Sequence, residues 1–267
     1  MSCKLFDKLK LDETRGIQDL DAPQATLVHA RVIRKKAFLE RLYIDFYNEL
    51  RRGLSENIDG KYIVELGSGG GFIKEVIPQA ITSDVMELPN VDKQFSATDM
   101  PFEDQSVDAF LMIDVLHHIN DTKRFLKEMT RCLKQGGKVC MIEPANTPWS
   151  RFIYKNFHHE PFDPSAGWGF EGQGPLTSAN GAIPWIVFFR DREIFEKEFT
   201  DLSIERLCVH TPLRYLLSGG LTIRQLLPSS LYSAVKLCER LLSPFHRFTG
   251  MFLSIELKKG DNKREHA

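Results

Sequence analysis

Gly67, Gly69, Gly70 and Gly71 follow directly on the apolar run Tyr62-Ile63-Val64-Glu65-Leu66. Glycines at such a handover let the chain turn tightly and bring a ligand against main-chain N–H groups with no Cβ between them. A dinucleotide-binding loop would place its third glycine where this chain has Phe72. The spacing Glu65-x-Gly67-x-Gly69-x-Gly71 suits a ligand without a pyrophosphate, whose ammonium the Glu65 carboxylate helps to balance. Asp84 stands seventeen positions after Gly67, at the end of a second apolar run. A carboxylate there can accept hydrogen bonds from both hydroxyls of a ribose. The plainer readings are a tight turn for the loop and a surface turn for Asp84.

Two histidine groups could carry proton chemistry: His117-His118, and His158-His159-Glu160 inside an aromatic-rich stretch. A neutral imidazole can take the proton of an attacking hydroxyl, which makes His158, His159 and His117 the candidate catalytic residues. A structural role, capping or packing a following helix, is the alternative for His117 and His118. No metal is expected, because these spacings match no standard ligand pattern. Cys3, Cys132, Cys140, Cys208 and Cys238 form no CxxC pair, which argues against a zinc site or a disulfide framework.

The elements that must position these groups alternate. A three- and four-residue apolar stripe predicts a helix over residues 26–54, with a basic face read as solvated. Strands are predicted at 62–66, 81–85, 93–97, 107–113 and 138–142. A helix runs from the glycine loop to Ile77, where Pro78 stops it, and another from Asp121 or Thr122 to Gly136-Gly137. Such alternation implies parallel βαβ units. The rhythm breaks over 143–190, resumes with a helix at 191–199 and a strand at 202–209, and breaks again over 211–251. A final strand is predicted at 252–257.

Length, 267 residues, allows one large α/β domain with insertions. A net charge of −1 supplies no global basic field, so no nucleic-acid partner is expected. No apolar run is long enough to span a bilayer and the N-terminus lacks a signal-like core, so the expected location is the cytoplasm. Residues 211–251 set basic side chains among leucines and phenylalanines. That fits a weak membrane-surface contact, a dimer surface or a core helix with a solvated face.

VELGSGGGF, ITSDV, ATDMPFEDQSVDAFLMIDVLHHI and LKEMTRCLKQGGKVCMIEP together resemble the class I S-adenosylmethionine (SAM)-dependent methyltransferases of the type-11 kind, over residues 61–144. The resemblance implies a Rossmann-like α/β sheet with insertions about 145–190 and 211–251 forming a cap. The domain would run 26–258, between a flexible segment 1–25 and a charged tail 259–267. It implies SAM as cofactor, held by Glu65, Gly67, Ser68, Gly69, Gly71, Asp84, Val85, Thr98, Asp99, Asp114 and Val115. Family members often place an acid where this chain has Ser96, so Asp99, or Ala97 and Thr98, would have to serve the adenine. The implied reaction moves a methyl group to a small-molecule acceptor, sugar, lipid-like or quinone-like, leaving S-adenosylhomocysteine. An inactive binding subunit and a nicotinamide oxidoreductase are the competing readings, and the oligomeric state is open.

Overall fold

The computed structural model describes residues 9–54, 56–158, 160–172 and 174–260. Within them lie strands β1 (Ile63–Glu65), β2 (Ile81–Asp84), β3 (Lys93–Gln94), β4 (Val107–Ile113), β5 (Leu133–Pro144), β6 (Leu202–His210) and β7 (Phe252–Lys259). They form one sheet in the order β3-β2-β1-β4-β5-β7-β6. The first five pair in parallel, and β7 runs antiparallel between β5 and β6. All of β1, and Val139 to Ile142 of β5, are buried, as in a sheet covered on both faces. Strand order reverses between β1 and β4, which opens a crevice at their carboxyl ends.

The predicted helix 26–54 is two helices, α1 (Pro23–Lys35) and α2 (Ala37–Gly53), broken at Lys36 with φ −100° and ψ 89°. Lys36 is buried rather than solvated. Its ammonium donates to the carbonyls of Gly220 and, at 2.8 Å, Ile223. The break turns this cation inward to satisfy carbonyls of the second insertion, and burial pushes its pKa down to about 8. Phe38, Leu42, Phe46 and Leu50 keep the predicted stripe of α2 in the core.

The helix expected after the glycine loop is only a 3₁₀ turn, Ile73–Glu75. Six residues separate Gly71 from Pro78. That is too few for two α-turns once proline withholds its N–H. α3 (Thr122–Cys132) forms as predicted, with Asp121 accepting the N–H of Arg124 at 2.9 Å. It ends before Gly136-Gly137, and β5 begins early at Leu133, with Gly136 at φ +70° making the irregularity.

The first insertion contains α4 (Pro148–Phe157), closed at its start by a Thr147/Ser150 capping box. Its later part buries Ile186, Val187 and Phe188, which pack the insertion into the core, while Phe189 is exposed. After α5 (Arg192–Glu198) and β6, the second insertion holds α6 (Arg214–Ser218), α7 (Tyr232–Leu241) and α8 (His246–Thr249). Within the N-terminal segment, the N–H of Leu11 donates to Thr222 and Leu9 accepts from Arg224. Asp21 accepts the N–H groups of Leu176 and Thr177. The described part of that segment is thus tied to both insertions. Residues 1–8 and most of the tail 259–267 lie outside the described residues.

Candidate active site

The glycine loop is built from both sides of the crevice. Gly67 and Gly69 take φ +61° and +50°, the left-handed region where a side chain is strained. A Cβ on Gly67 would lie 2.6 Å from Val115 Cγ2, and one on Gly70 2.7 Å from Ala30 Cα. Gly71 would bring a Cβ against the Tyr47 hydroxyl, which accepts the Phe72 N–H at 3.1 Å. Ser68 joins β1 to β2. Its N–H donates to Ser83 O at 2.8 Å and its Oγ accepts the Ser83 N–H at 3.1 Å. Asp84 holds the loop from β2, accepting the N–H of Gly69 through Oδ2 and of Met86 through Oδ1, each at 2.9 Å.

These residues fit a nucleoside carrying an ammonium. Glu65 is buried, its Oε2 has no hydrogen-bond partner, and burial pushes its pKa up to about 7. An unsatisfied buried carboxylate oxygen is costly, and a cationic group would offset that cost. Asp84 keeps lone pairs beyond the two it gives the backbone. Burial raises its pKa despite those bonds.

A cavity of about 1800 Å³ runs from this loop to the two insertions. That exceeds the range of about 300–1,000 Å³ for a pocket holding one small ligand. Its lining includes Glu65, Gly67, Asp84, Val85, Ala97 and Thr98 beside the glycine loop and, as an acceptor arm, Trp149, Phe152, Tyr154, Phe162, Leu216 and Phe252 from the insertions and β7. Asp114 and Val115, which follow β4, line it too.

Asp114 sits at φ +56°, which its short polar side chain tolerates. It makes no side-chain hydrogen bond or ion pair among the described residues, and burial with nearby Glu143 and Glu160 pushes its pKa up to about 7. His117 is buried between Glu143 (Nδ1 to Oε2, 2.7 Å) and Glu160 (Nε2 to Oε2, 3.3 Å). Burial alone would lower its pKa, but the two carboxylates lift it well above the usual range. Glu143 also accepts the N–H groups of Val115 and Leu116 at 2.9 and 2.7 Å. His118 is driven down to about 4 by burial and by neighbouring His117. Glu160 is held below the usual carboxylate range by His117, against its burial.

Of the residues singled out from sequence, Glu65, Gly67, Ser68, Gly69, Gly71, Asp84, Val85, Thr98, Asp114, Val115, His117 and His158 all line this one cavity. Asp99 does not. It is exposed, turned out by a bridge to Ser96. His159 lies outside the described residues. His158 is partly exposed, and its Nδ1 accepts the Glu160 N–H at 3.3 Å. Sequence reasoning passed over Glu143, and named Glu160 only beside His158-His159 without joining it to His117. Their signal was an acid at a strand end and an acid beside paired histidines, both ordinary on a surface.

Residues 64–141 match the methyltransferase domain family. The chain carries a methyltransferase domain, with the class I SAM-dependent methyltransferase fold. The antiparallel β7 between β5 and β6, and a loop in which Phe72 and a 3₁₀ turn stand where a dinucleotide loop has its third glycine and helix N-terminus, argue against the oxidoreductase alternative. The chain is 29% identical over 132 residues to a demethylmenaquinone methyltransferase of Symbiobacterium thermophilum, covering 48% of this chain and 51% of that protein. The match therefore spans about half the length of that relative. It is 25% identical over 215 residues to a phthiotriol/phenolphthiotriol dimycocerosates methyltransferase of Mycobacterium tuberculosis, covering 69% of this chain and 74% of that one. In fold, it matches geranyl diphosphate C-methyltransferase of Streptomyces coelicolor A3(2), with a TM-score of 0.50 and 14% identity over 83% of this chain and 82% of that one.

Proposed function

We propose that this chain transfers the methyl group of SAM to an apolar small-molecule acceptor, lipid-like or quinone-like, leaving S-adenosylhomocysteine. The observation that carries this reading is one cavity whose lining joins the glycine loop to apolar side chains of the insertions, Phe152, Phe162 and Leu216 among them, with Asp114 also in its wall. Apolar walls disfavour the sugar alternative, which would leave hydroxyls unpaired against Phe152, Phe162 and Leu216. The relatives named above for demethylmenaquinone and for phthiotriol lipids support the same class of acceptor.

SAM supplies a methyl carbon already activated as a sulfonium. The chain then has to align the acceptor, exclude water and remove a proton where the acceptor carries one. Glu65 balances the ammonium, and Asp84 holds the ribose hydroxyls. Asp114, at about 7, is poised to take the acceptor's proton at its carboxylate, and Glu143 orients the turn that carries His117.

An apolar acceptor would enter from a lipid surface. Glu239 of α7 is buried, accepting from Leu213 and Arg214, while Leu237 and Leu241 face outward at 57% and 72% exposure. Phe245 and Phe248 beyond α7, and Phe152 and Phe157 on α4, are also exposed, and α8 packs on α4. Phe152 and Phe157 also line the cavity, so the outward apolar face continues into the acceptor arm. No helix among the described residues is long or apolar enough to cross a membrane.

The test is calorimetry with S-adenosylhomocysteine and NAD, followed by transfer of labelled methyl from SAM to menaquinone-type and hydroxylated lipid acceptors. Binding of S-adenosylhomocysteine without transfer to any acceptor class would favour an inactive binding subunit. NAD binding without it would sink the proposal.

A further inference from the structure

His117 and His118 are adjacent on the turn Leu116–His118 at the end of β4, with ring centroids 4.3 Å apart. Each ring is fixed through Nδ1, His117 by Glu143 Oε2 at 2.7 Å and His118 by the Ser178 carbonyl at 3.2 Å. An imidazole held by a carboxylate or a carbonyl at one nitrogen is the usual outer-shell support of a metal-bound histidine. Both Nε2 atoms then converge on one carboxylate, 3.3 Å from Glu160 Oε2 for His117 and 3.7 Å from Glu160 Oε1 for His118.

The His118 contact has a chemical conflict in it. Ser178 O can only accept, so Nδ1 of His118 carries the proton and Nε2 presents a lone pair. A lone pair facing a carboxylate oxygen across 3.7 Å is repulsive unless a cation or a proton lies between them. One donor atom from each of His117, His118 and Glu160 lies within 4.8 Å of the others, and all three residues line the cavity. Two ligands about 2.1 Å from one tetrahedral ion lie roughly 3.4 Å apart, so these atoms need only small shifts. Asp114 and Glu143 place two further carboxyl groups beside His117.

We propose that His117 Nε2, His118 Nε2 and the Glu160 carboxylate bind one divalent transition-metal ion whose remaining positions open on the acceptor arm. Two imidazoles with one carboxylate suit zinc or another first-row ion, and leave room for an oxygen ligand. The ligand set stands by itself. Its use, drawing an acceptor oxygen into place and easing loss of that oxygen's proton to Asp114, rests on the methyltransferase reading. The expectation of no metal came from sequence spacing. The neighbouring histidines fit no helical ligand motif, and Glu160 joins them only through the fold.

The test uses the whole chain stripped with a chelator and titrated with Co²⁺ alone, then with Zn²⁺ in competition. One equivalent of Co²⁺ should bind with visible ligand-field absorption, Zn²⁺ should abolish that absorption, and the melting temperature should rise. His118→Ala and Glu160→Ala should each lose the absorption. Glu143→Gln, acting through His117, should weaken Co²⁺ by about 10–100-fold. Calorimetry with S-adenosylhomocysteine on the same samples separates the two readings. If that ligand binds and folded parent protein takes up no stoichiometric Co²⁺, the metal site is overturned and the methyltransferase reading stands. If Co²⁺ binds as described and the nucleoside ligand does not, the metal site stands alone. Co²⁺ bound equally by the parent, His118→Ala and Glu160→Ala would also overturn the assignment.

Discussion

Asp84 Oδ2 accepts the backbone N–H of Gly69 at 2.9 Å, so the carboxylate that ends β2 fixes the loop that ends β1. The same side chain is therefore both ligand group and loop anchor. Asp84→Ala should lose roughly 1.5–3 kcal/mol of SAM affinity per charged hydrogen bond and should also lower the melting temperature by several degrees. Calorimetry and a thermal melt check both. A variant that binds S-adenosylhomocysteine like the parent would remove Asp84 from the ribose site.

Glu65 gives a pH dependence. Its pKa rises from 4.5 to about 7 on folding through burial, so the folded chain binds more protons than the unfolded chain between those values. Stability without ligand therefore falls as pH rises through that window. A bound ammonium favours the carboxylate, so affinity for S-adenosylhomocysteine should climb with pH up to about 7 and level off, by at most roughly tenfold per unit. Asp114 titrates in the same range, and Glu65→Gln is the variant that assigns the slope. An unchanged slope in that variant would move the effect to Asp114.

Two glycines of the loop should fail in different ways. A Cβ at Gly71 collides with the Tyr47 hydroxyl and lies 2.8 Å from Ser68 O, so Gly71→Ala should destabilise the fold, by about 1–3 kcal/mol in denaturant titration. A Cβ at Gly69 meets nothing closer than Thr26 Cγ2 at 3.7 Å, but its φ of +50° is strained for valine. Gly69→Val should cost about 1–2 kcal/mol of stability and nearly all ligand binding. Parent-like affinity in Gly69→Val would contradict a ligand seated on that backbone.

Leu237 and Leu241 make no core contribution at 57% and 72% exposure. Replacing both with Glu should leave stability within about 0.5 kcal/mol and reduce sedimentation with anionic vesicles. Equal vesicle binding by parent and double variant would locate the lipid contact elsewhere or remove it.

Strand periodicity and the glycine loop were legible because each depends on neighbours in sequence. β1, β2, β4, β6 and β7 lie within a few residues of their predicted bounds. The break at Lys36 was not, because a mid-helix lysine normally reaches solvent, and only the carbonyls of Gly220 and Ile223 make burial tolerable. The Glu143–His117–Glu160 cluster was hidden for a related reason. Its members are 26 and 17 positions apart in sequence and meet only when the first insertion folds back over β4. Asp99 illustrates the opposite error, an acid near the right strand that the turn at Ser96 faces outward.

The N-terminal segment touches Thr222 and Arg224 at one end and Leu176 and Thr177 at the other. The two insertions are thereby wired in series. Neither can swing off the sheet without drawing the segment, and with it the other insertion. Exchange of reactant for product on that side is then one cooperative event, and amide hydrogens around residues 9–22, 174–178 and 219–224 should open together, as a unit assembled from three distant stretches of chain.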